Sequence, residues 1–455
     1  MSFVPSKRLL WLVALVIMPA WLVLGMAGAP AELLFVGGAV LLAFAALDAV
    51  GSFSRLDGLG LDLPPMVRTS KGKTFDLMGA ILPVPGRHKK LRVGLSIPRE
   101  LEPDSPVVPN IVVADGNPGR PLWKVLALER GRFVVSLCHL EITSHLGLWD
   151  MRRTLPCRCE VRVYPDLSRE RNVLAPLFFR KGAMGIHQVR QLGKGREFEQ
   201  LRSYIPGDSF GDIYWKGTAK RRFPVTMIHQ IERTQEIHVI LDVSRRSARP
   251  LELPADKGSE ADRFAPRTQC ERFIQAALIL ALAAEQQGDR FGLITFSDQV
   301  HKVISAGSGL SHYNACRDAL YTLEPRIVSP DFNELFINIG NRLRHRSLLI
   351  VLTDLGEPWL SESFIEAVQQ AARRHVVLVH VLGSQEFQPL FHRHDSISDA
   401  DELYGRLAGH LMWADLQAAV RDLKQRGVHL TSSLQENLIA SVVSEYLNVK
   451  KRQLL

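Results

Sequence analysis

The chain has 455 residues, about three times the usual domain length, so two or three folded units are expected rather than one. Hydrophobic residues make up 46% and charged residues 23%, which excludes a disordered chain, a collagen-like repeat and a polytopic membrane protein. The net charge of +9 suits nucleic acid, an anionic membrane surface or an acidic protein partner, and where the charge sits has to choose among them.

Residues 9–28 carry no charge over twenty positions, enough at about 1.5 Å per residue to cross a hydrocarbon core of roughly 30 Å. A second uncharged run, 33–47, follows directly and reaches spanning length with residues 48–51. The pair reads as a transmembrane helical hairpin over 1–56. Lys7 and Arg8 precede the first span, while Arg55, Arg68, Lys71 and Lys73 follow the second. Positive charge on both flanks predicts two spans with the soluble remainder facing the cytoplasm. A cleaved signal peptide is the competing reading of the first run, but no small-x-small site stands out and the second apolar run follows at once.

Over 57–178 the pattern changes to short β-rich runs between turn residues: 91–98, 109–116, 131–143 and 159–165. Within the third, Phe133, Val135 and Leu137 alternate with Val134, Ser136 and Cys138, and such period-two runs predict a β-sandwich-like domain. Five cysteines, Cys138, Cys157, Cys159, Cys270 and Cys316, make no disulfide framework in a chain this long, and the odd count suits a reducing compartment. Cys157-Arg158-Cys159 lacks a second Cys/His pair at zinc spacing, and period two places both thiols on one strand face as packing residues.

A basic connector is expected over 179–235. Residues 180–233 hold eleven Lys/Arg against five Asp/Glu, a net +6, interleaved with Tyr204, Phe210, Tyr214 and Trp215. Such a stretch suits single-stranded nucleic acid or anionic lipid headgroups. The many glycines and Pro206-Gly207 favour an ordered, turn-rich connector between two soluble domains, its aromatics packed and its cations paired with neighbouring acids.

Over 236–455, strand-like runs at 237–243, 291–296, 347–353, 376–382 and 428–431 alternate with helix-like ones at 271–287, 314–323, 332–343, 364–374, 413–426 and 435–447. Near-continuous apolar strands separated by helices specify an α/β domain with a doubly wound parallel sheet, covered on both faces. Ligands of such sheets bind beyond the strand carboxyl ends at the topological switch point. Two strands end there in aspartate, Asp242 and Asp354, with Ser244 two positions after the first and Ser329 on a loop edge. Oxygen donors with room for water suit Mg²⁺ better than zinc. Ser329 before Pro330 also reads as a helix N-cap, and Ser244 as a turn residue. His380, inside an apolar strand, reads as a hydrogen-bonded core residue. No G-x-S-x-G, H-E-x-x-H or G-x-x-x-x-G-K-[ST] occurs, so no enzyme is expected; a metal-dependent hydrolase using Asp242 and Asp354 is the alternative.

The stretch from Arg202 through Tyr204, Gly207 and Asp208 to Trp215-Lys216, followed by Asp242-x-Ser244, resembles bacterial membrane-anchored proteins carrying domain of unknown function 58. The resemblance covers nearly the whole chain and includes Leu146-Gly147-Leu148-Trp149 and Val163-Tyr164-Pro165. It implies a von Willebrand factor A-like domain, an inner-membrane location and a MoxR-type AAA+ ATPase as partner. The role implied is a membrane-tethered adaptor in the assembly or maturation of other proteins, with Arg202, Tyr204, Gly207, Asp208, Trp215 and Lys216 as signature and docking residues. An A-like domain further implies a metal-ion-dependent adhesion site, D-x-S-x-S with a later Thr and Asp. Asp242, Ser244, Ser329 and Asp354 match or approximate four of its positions, but Arg246 stands in a fifth. Two readings stay open: bound Mg²⁺, or an ion pair of Arg246 with Asp242 or Asp354 in the metal's place. Ser247 offers a substitute hydroxyl through a one-residue bulge, and the polar insert 248–269 is expected to be a mobile loop beside the same edge.

Overall fold

A computed structural model describes residues 2–26, 31–53, 58–82, 89–104, 110–113, 119–168, 170–172, 192–230, 235–251, 264–383 and 399–452. The chain divides into two compact units, Met1–Asp166 with Asp256–Ala265, and Leu167–Ala255 with Pro266–Leu455. The described part of the basic stretch, 192–230, therefore belongs to the second unit, while Arg180, Lys181, Arg190 and Arg233 lie outside the described residues.

In the first unit, β1 (Ser2–Pro5) leads into helical chain comprising α1 (Lys7–Leu12), a π-helical segment (Val13–Ile17) and α2 (Met18–Met26), followed by α3 (Ala31–Ser52). Among the described residues one helical stretch, Phe35–Ser52, is continuous, long and apolar enough to cross a membrane. The described part of the first expected span, 9–26, is helical, with its regular α-pattern interrupted by the π segment. The two helices touch: a Cβ on Gly38 would stand 2.9 Å from the Trp21 ring, so only glycine admits that approach. Outward-facing Leu10, Trp11, Leu15, Leu42, Phe44 and Leu47 leave both helices with apolar surfaces.

The remaining strands of this unit are β2 (Gly60–Asp62), β3 (Met66–Ser70), β4 (Thr74–Met78), β5 (Ala80–Leu82), β6 (Lys89–Leu95), β7 (Leu101–Pro103), β8 (Asn110–Val113), β9 (Leu122–Ala127), β10 (Gly131–Thr143) and β11 (Trp149–Tyr164). One sheet runs β1-β11-β10-β6-β8 with β3 beside β11, a second runs β4-β9-β7, and β2 pairs with β5. Leu77, Trp123 and Val125 from the second sheet share one core with Val93, Val135, Leu140, Met151, Val161 and Val163 from the first. Two sheets closing on a single apolar interior is the sandwich arrangement expected. The stripe Phe133, Val135, Leu137 is corrected, however. A bulge between Val135 and Leu137 shifts the register, exposing Leu137 and burying Cys138, Leu140 and Ile142. Cys157 and Cys159 do lie on the core side, and all five cysteines are free thiols. Burial pushes Cys138 up to about 12 and Cys159 up to about 11, which leaves them without reactive thiolate.

The β10–β11 turn grips both apolar helices. Ser144 Oγ donates to Asp48 Oδ2 at 2.6 Å, the Leu146 amide donates to Asp48 Oδ1 at 3.0 Å, and the His145 amide donates to Ser52 Oγ at 3.1 Å. Trp149 Nε1 donates to the Ala45 carbonyl at 2.9 Å. At the other helix, Ser6 caps α1 by accepting from the Leu9 amide, and its hydroxyl donates to the Gly147 carbonyl at 2.6 Å. Gly147 sits at φ +78° with the Arg8 side chain where a Cβ would point, which accounts for glycine in Leu146-Gly147-Leu148-Trp149. Asp48→Ala strands the Ser144 hydroxyl and the Leu146 amide, and is expected to cost about 1–3 kcal/mol. Thermal melts of the detergent-solubilised chain measure it, and an unshifted transition contradicts the clamp.

The second unit begins with the antiparallel ribbon β12 (Leu192–Ser203) and β13 (Val225–Gln230), with the short helix α4 (Trp215–Arg221) between them. Its main sheet comprises β14 (Glu236–Asp242), β15 (Arg290–Phe296), β16 (Val300–Gly307), β17 (Leu348–Thr353), β18 (Val376–Leu382) and β19 (His429–Ser433), in the order β16-β15-β14-β17-β18-β19. Five of these strands are parallel, and β16 pairs antiparallel with β15. The sheet is therefore mixed, a correction to the all-parallel expectation. The tight turn Ser297-Asp298-Gln299, closed by the Ser297 amide donating to the Gln299 carbonyl at 3.0 Å, reverses the chain into this edge strand.

Helices cover both faces. One core joins Val239, Leu241, Leu293, Leu348 and Ile350 to α5 (Gln269–Gln286), α6 (Leu310–Leu320) and α10 (Leu438–Arg452). The other joins Ile240, Ile294, Phe296, Val351 and Val379 to α7 (Phe332–Arg342), α8 (Pro358–Arg374) and α9 (Ala400–Gln425). Consecutive strand residues thus alternate between two buried layers, which produces the uninterrupted apolar runs. His238 and His380 are buried in these layers. His380 Nε2 lies 3.3 Å from Glu445 Oε2, and burial pulls both histidines down to about 4. Unfolding then takes up protons between pH 6.5 and about 4, so each histidine lowers stability as pH falls through that window, by on the order of 3 kcal/mol at most. Burial raises Asp242 and Glu445, which acts in the opposite sense at lower pH. Comparing melts at pH 7 and pH 4.5, His380→Gln is expected to show a smaller acid-side loss than the parent chain; an equal loss contradicts the assignment.

Candidate functional site

β14 and β17 lie side by side at the centre of the sheet, and the chain departs from them in opposite directions, β14 toward β15 and β17 toward β18. This is the switch point, where loops diverge and leave a crevice at the carboxyl ends. Asp242 closes β14 and Asp354 follows β17, both almost fully buried. Burying two carboxylates at one spot demands compensation, by hydrogen bonds, protons or cations.

Asp242 takes hydrogen bonds. Its Oδ1 accepts from the Ser244 amide at 2.8 Å, and its Oδ2 accepts from Thr353 Oγ1 at 2.6 Å. Thr353 arrives because β14 and β17 pair in parallel with Leu241 opposite Leu352, so the next residue of each strand meets the other. Burial raises the Asp242 carboxyl above the ordinary range, with the Asp354 charge adding to it, while the bonds from Thr353 and Ser244 oppose the shift.

Asp354 is held by a cation. Arg246, on the short helical turn Arg245–Ala248, donates from Nη2 to Asp354 Oδ1 at 3.1 Å and from Nη1 to Glu357 Oε1 at 2.6 Å. Its side chain is as buried as that of Asp354. The Gly356 amide also donates to Asp354 Oδ1, at 2.8 Å. Around this pair, Arg249 Nη1 lies 3.5 Å from Asp354 Oδ2 and Arg245 Nη2 lies 3.5 Å from Glu357 Oε2. Three arginines thus surround two carboxylates beside a third whose pKa is raised.

The structure brings Asp242, Ser244 and Asp354 together, and the loop carrying Ser329 runs alongside them, its Val328 carbonyl accepting from the Arg245 amide at 2.9 Å. Ser329 is exposed on the loop before α7, and the N-cap of that helix is Asp331, whose carboxylate accepts from the Glu334 amide at 3.0 Å. The N-cap reading of Ser329 is therefore corrected by two residues. Ser247 does not supply a replacement hydroxyl either, since its Oγ donates to the Ser244 carbonyl at 2.8 Å and closes the turn. Thr353, Glu357 and Arg249 were not foreseen as members of the site; the facing register of β14 and β17 identifies Thr353, whereas Glu357 depends on the turn into α8. The insert's ends are joined by a bridge between Pro250 and Thr268, and residues 252–263 lie outside the described residues.

The signature residues form a separate, self-contained turn. Arg202 Nη2 donates to Asp208 Oδ1 at 2.6 Å, and the Ile205 amide and Thr226 hydroxyl each donate to Asp208 Oδ2 at 3.1 Å. The Ile205 amide, with Arg202 and Thr226, holds the Asp208 carboxyl below its usual range. Gly207 at φ +112° permits the turn, and the Tyr204 and Phe210 rings lie 6.2 Å apart. Tyr204 and Tyr214 are half-buried, whereas Phe210 and Trp215 are exposed, as is Lys216, so the expectation that the aromatics of this stretch pack away is overturned for those two rings. Asp208 satisfies the turn internally and leaves the rings facing out.

Residues 200–390 match the family described as Protein of unknown function DUF58. Over these residues the chain is similar to that family. The match runs from the signature turn through β18, and so includes the switch-point site. Three solved structures are similar to the chain at low identity. They are the conserved hypothetical protein BatB from Bacteroides thetaiotaomicron (16% identity, 48% of this chain and 99% of that one, TM-score 0.32), an aerotolerance-related membrane protein from Bacteroides fragilis (13%, 47% and 99%, 0.29) and the vWF domain of the type V pili tip protein Mfa5 from Porphyromonas gingivalis (10%, 48% and 95%, 0.24). No curated protein matches the chain.

The site as arranged does not fit a divalent cation at Asp242, Ser244, Ser329 and Asp354. Both Asp242 oxygens accept from protein donors, Asp354 faces Arg246 and Arg249, and Ser329 is exposed. Among the described residues no cluster of three or more His, Cys, Asp or Glu is placed to hold a metal. A guanidinium within hydrogen-bond reach of the carboxylates repels a second cation and already supplies its charge. Arg246→Ser rebuilds the D-x-S-x-S spacing and removes that charge. In the absence of metal it is expected to destabilise the domain by about 3–5 kcal/mol, since Asp354 loses its buried partner. Millimolar Mn²⁺ is expected to raise the melting temperature of the variant and leave the parent unmoved; a parent that Mn²⁺ stabilises equally contradicts this assignment.

Proposed function

We propose that this protein is a membrane-tethered interaction adaptor whose A-like domain docks a partner at the carboxyl edge of its central strands, without catalysis and without a bridging metal. The observation that carries the reading is the arginine cluster. Asp242, Asp354 and Glu357 are engaged by partners within the site, while Arg245 and Arg249 each keep 45% of their side chains exposed beside it. Such an edge offers charge to an acidic side chain. The partner proposed is a MoxR-type AAA+ ATPase, and the pair serves assembly or maturation of other proteins. The helical hairpin anchors the chain in a bacterial inner membrane through two spans, with both units in the cytoplasm; the apolar surface of the N-terminal helices and the Lys/Arg residues around them support that placement.

A photo-crosslinking residue at Arg249 in the full-length chain, followed by mass spectrometry from native membranes, tests the reading. The expected product is an ATPase adduct that Arg245→Glu with Arg246 intact reduces at least several-fold. An adduct pattern unchanged by that charge reversal, or one without any ATPase, contradicts it.

A further inference from the structure

The excursion between β12 and β13 is closed at its base. The Tyr204 amide donates to the Pro224 carbonyl at 3.0 Å, the Tyr214 amide donates to the Val225 carbonyl at 2.8 Å, and the Val225 amide donates to Thr218 Oγ1 at 3.0 Å. With the Asp208 turn, these bonds hold the excursion in one conformation. Held this way, it presents large apolar residues to solvent: Phe210 is 74% exposed, Trp215 67%, Ile205 55% and Phe223 45%. A fold that orders a segment and leaves four such side chains outward forgoes their burial, worth about 1.5–3 kcal/mol each. Lys216, Lys220, Arg221 and Arg222 are exposed in the same segment, with Arg222 turned out at φ +62° where α4 ends. The two acids of the segment are Asp208, tied to Arg202, and Asp212.

We propose that this excursion is a binding surface for an anionic lipid bilayer. Trp and Phe side chains ringed by Lys and Arg match the headgroup boundary, where the rings enter the acyl border and the cations remain with phosphate. Each Lys or Arg near an anionic leaflet adds attraction to it, so four cations suffice for reversible attachment when a membrane helix already confines the chain to that surface. Charge selects an anionic surface, and the aliphatic Ile205 beside the rings favours lipid over stacked bases. The surface is separate from the switch-point arginines, and its role as a second lipid contact stands whether or not that edge docks a protein.

The test uses the full-length chain in nanodiscs of phosphatidylcholine alone or of phosphatidylcholine with phosphatidylglycerol. Amide exchange over 205–223 is expected to slow several-fold in the anionic discs, with the loop around Ile327 unchanged, and the protection is expected to vanish in the triple variant Lys216→Glu, Arg221→Glu, Arg222→Glu. Trp215 provides a second reading that needs no charge reversal: brominated lipid should quench the fluorescence lost in Trp215→Phe, and only in anionic discs. Equal exchange in both disc types with Trp215 unquenched overturns the proposal. So does protection that follows protein concentration rather than lipid charge, which would assign the surface to an acidic protein partner.

Discussion

Ending two adjacent buried strands in aspartate obliges the second unit to supply compensation at its switch point, and Arg246 supplies it. The guanidinium spans Asp354 and Glu357, while Asp242 is left to a threonine hydroxyl and a backbone amide. A buried pair of this kind contributes little net stability, because desolvation offsets the attraction, but removing either partner leaves a bare charge in the interior. The edge is therefore organised by the pair rather than strengthened by it. The same cation supplies beside Asp354 the positive charge a metal would bring, while burial and the Asp354 charge raise the Asp242 carboxyl and Arg245 and Arg249 lie at the rim.

The first unit solves a different problem, fixing apolar helices to a β-sandwich. Asp48 and Ser52 accept hydrogen bonds from the β10–β11 turn, Ser6 bonds back to it, and β1 extends the sheet alongside β11. Each polar group near the ends of the helices thus has a defined partner, as burial beside apolar surface requires. Leu146-Gly147-Leu148-Trp149, noticed in the sequence as part of a family pattern, is in the structure the turn that makes this joint. Its glycine permits the close approach of Arg8, and its tryptophan reaches a helix carbonyl.

Elements with uniform patterning were legible in the sequence. The runs 131–143 and 376–382 coincide with β10 and β18, because a strand buried on one or both faces needs an unbroken apolar period. Local exceptions were not legible. One bulge after Val135 sends Leu137 outward, and periodicity alone carries no signal for it. β16 was missed because an edge strand mixes half-exposed residues such as His301 and Lys302 with apolar ones. At the site, Asp242, Ser244 and Asp354 were identifiable from position after apolar strands, and Arg246 from the D-x-S-x-S spacing that the family resemblance implies. Thr353 needed the pairing register, and Glu357 the turn into α8. Phe210 and Trp215 were expected to be packed, since composition marks them as apolar without showing that Asp208 closes the turn beneath them.

Arg246 occupies the position between Asp354 and Glu357 that a divalent cation held by Asp354 would need. Crystals of the protein soaked in MnCl₂ and recorded at the manganese absorption edge test it most directly. The account expects continuous density from Arg246 to Asp354 and Glu357, with no anomalous peak between Asp242 and Asp354. An anomalous peak coordinated by those two aspartates, with Arg246 displaced toward solvent, would contradict it.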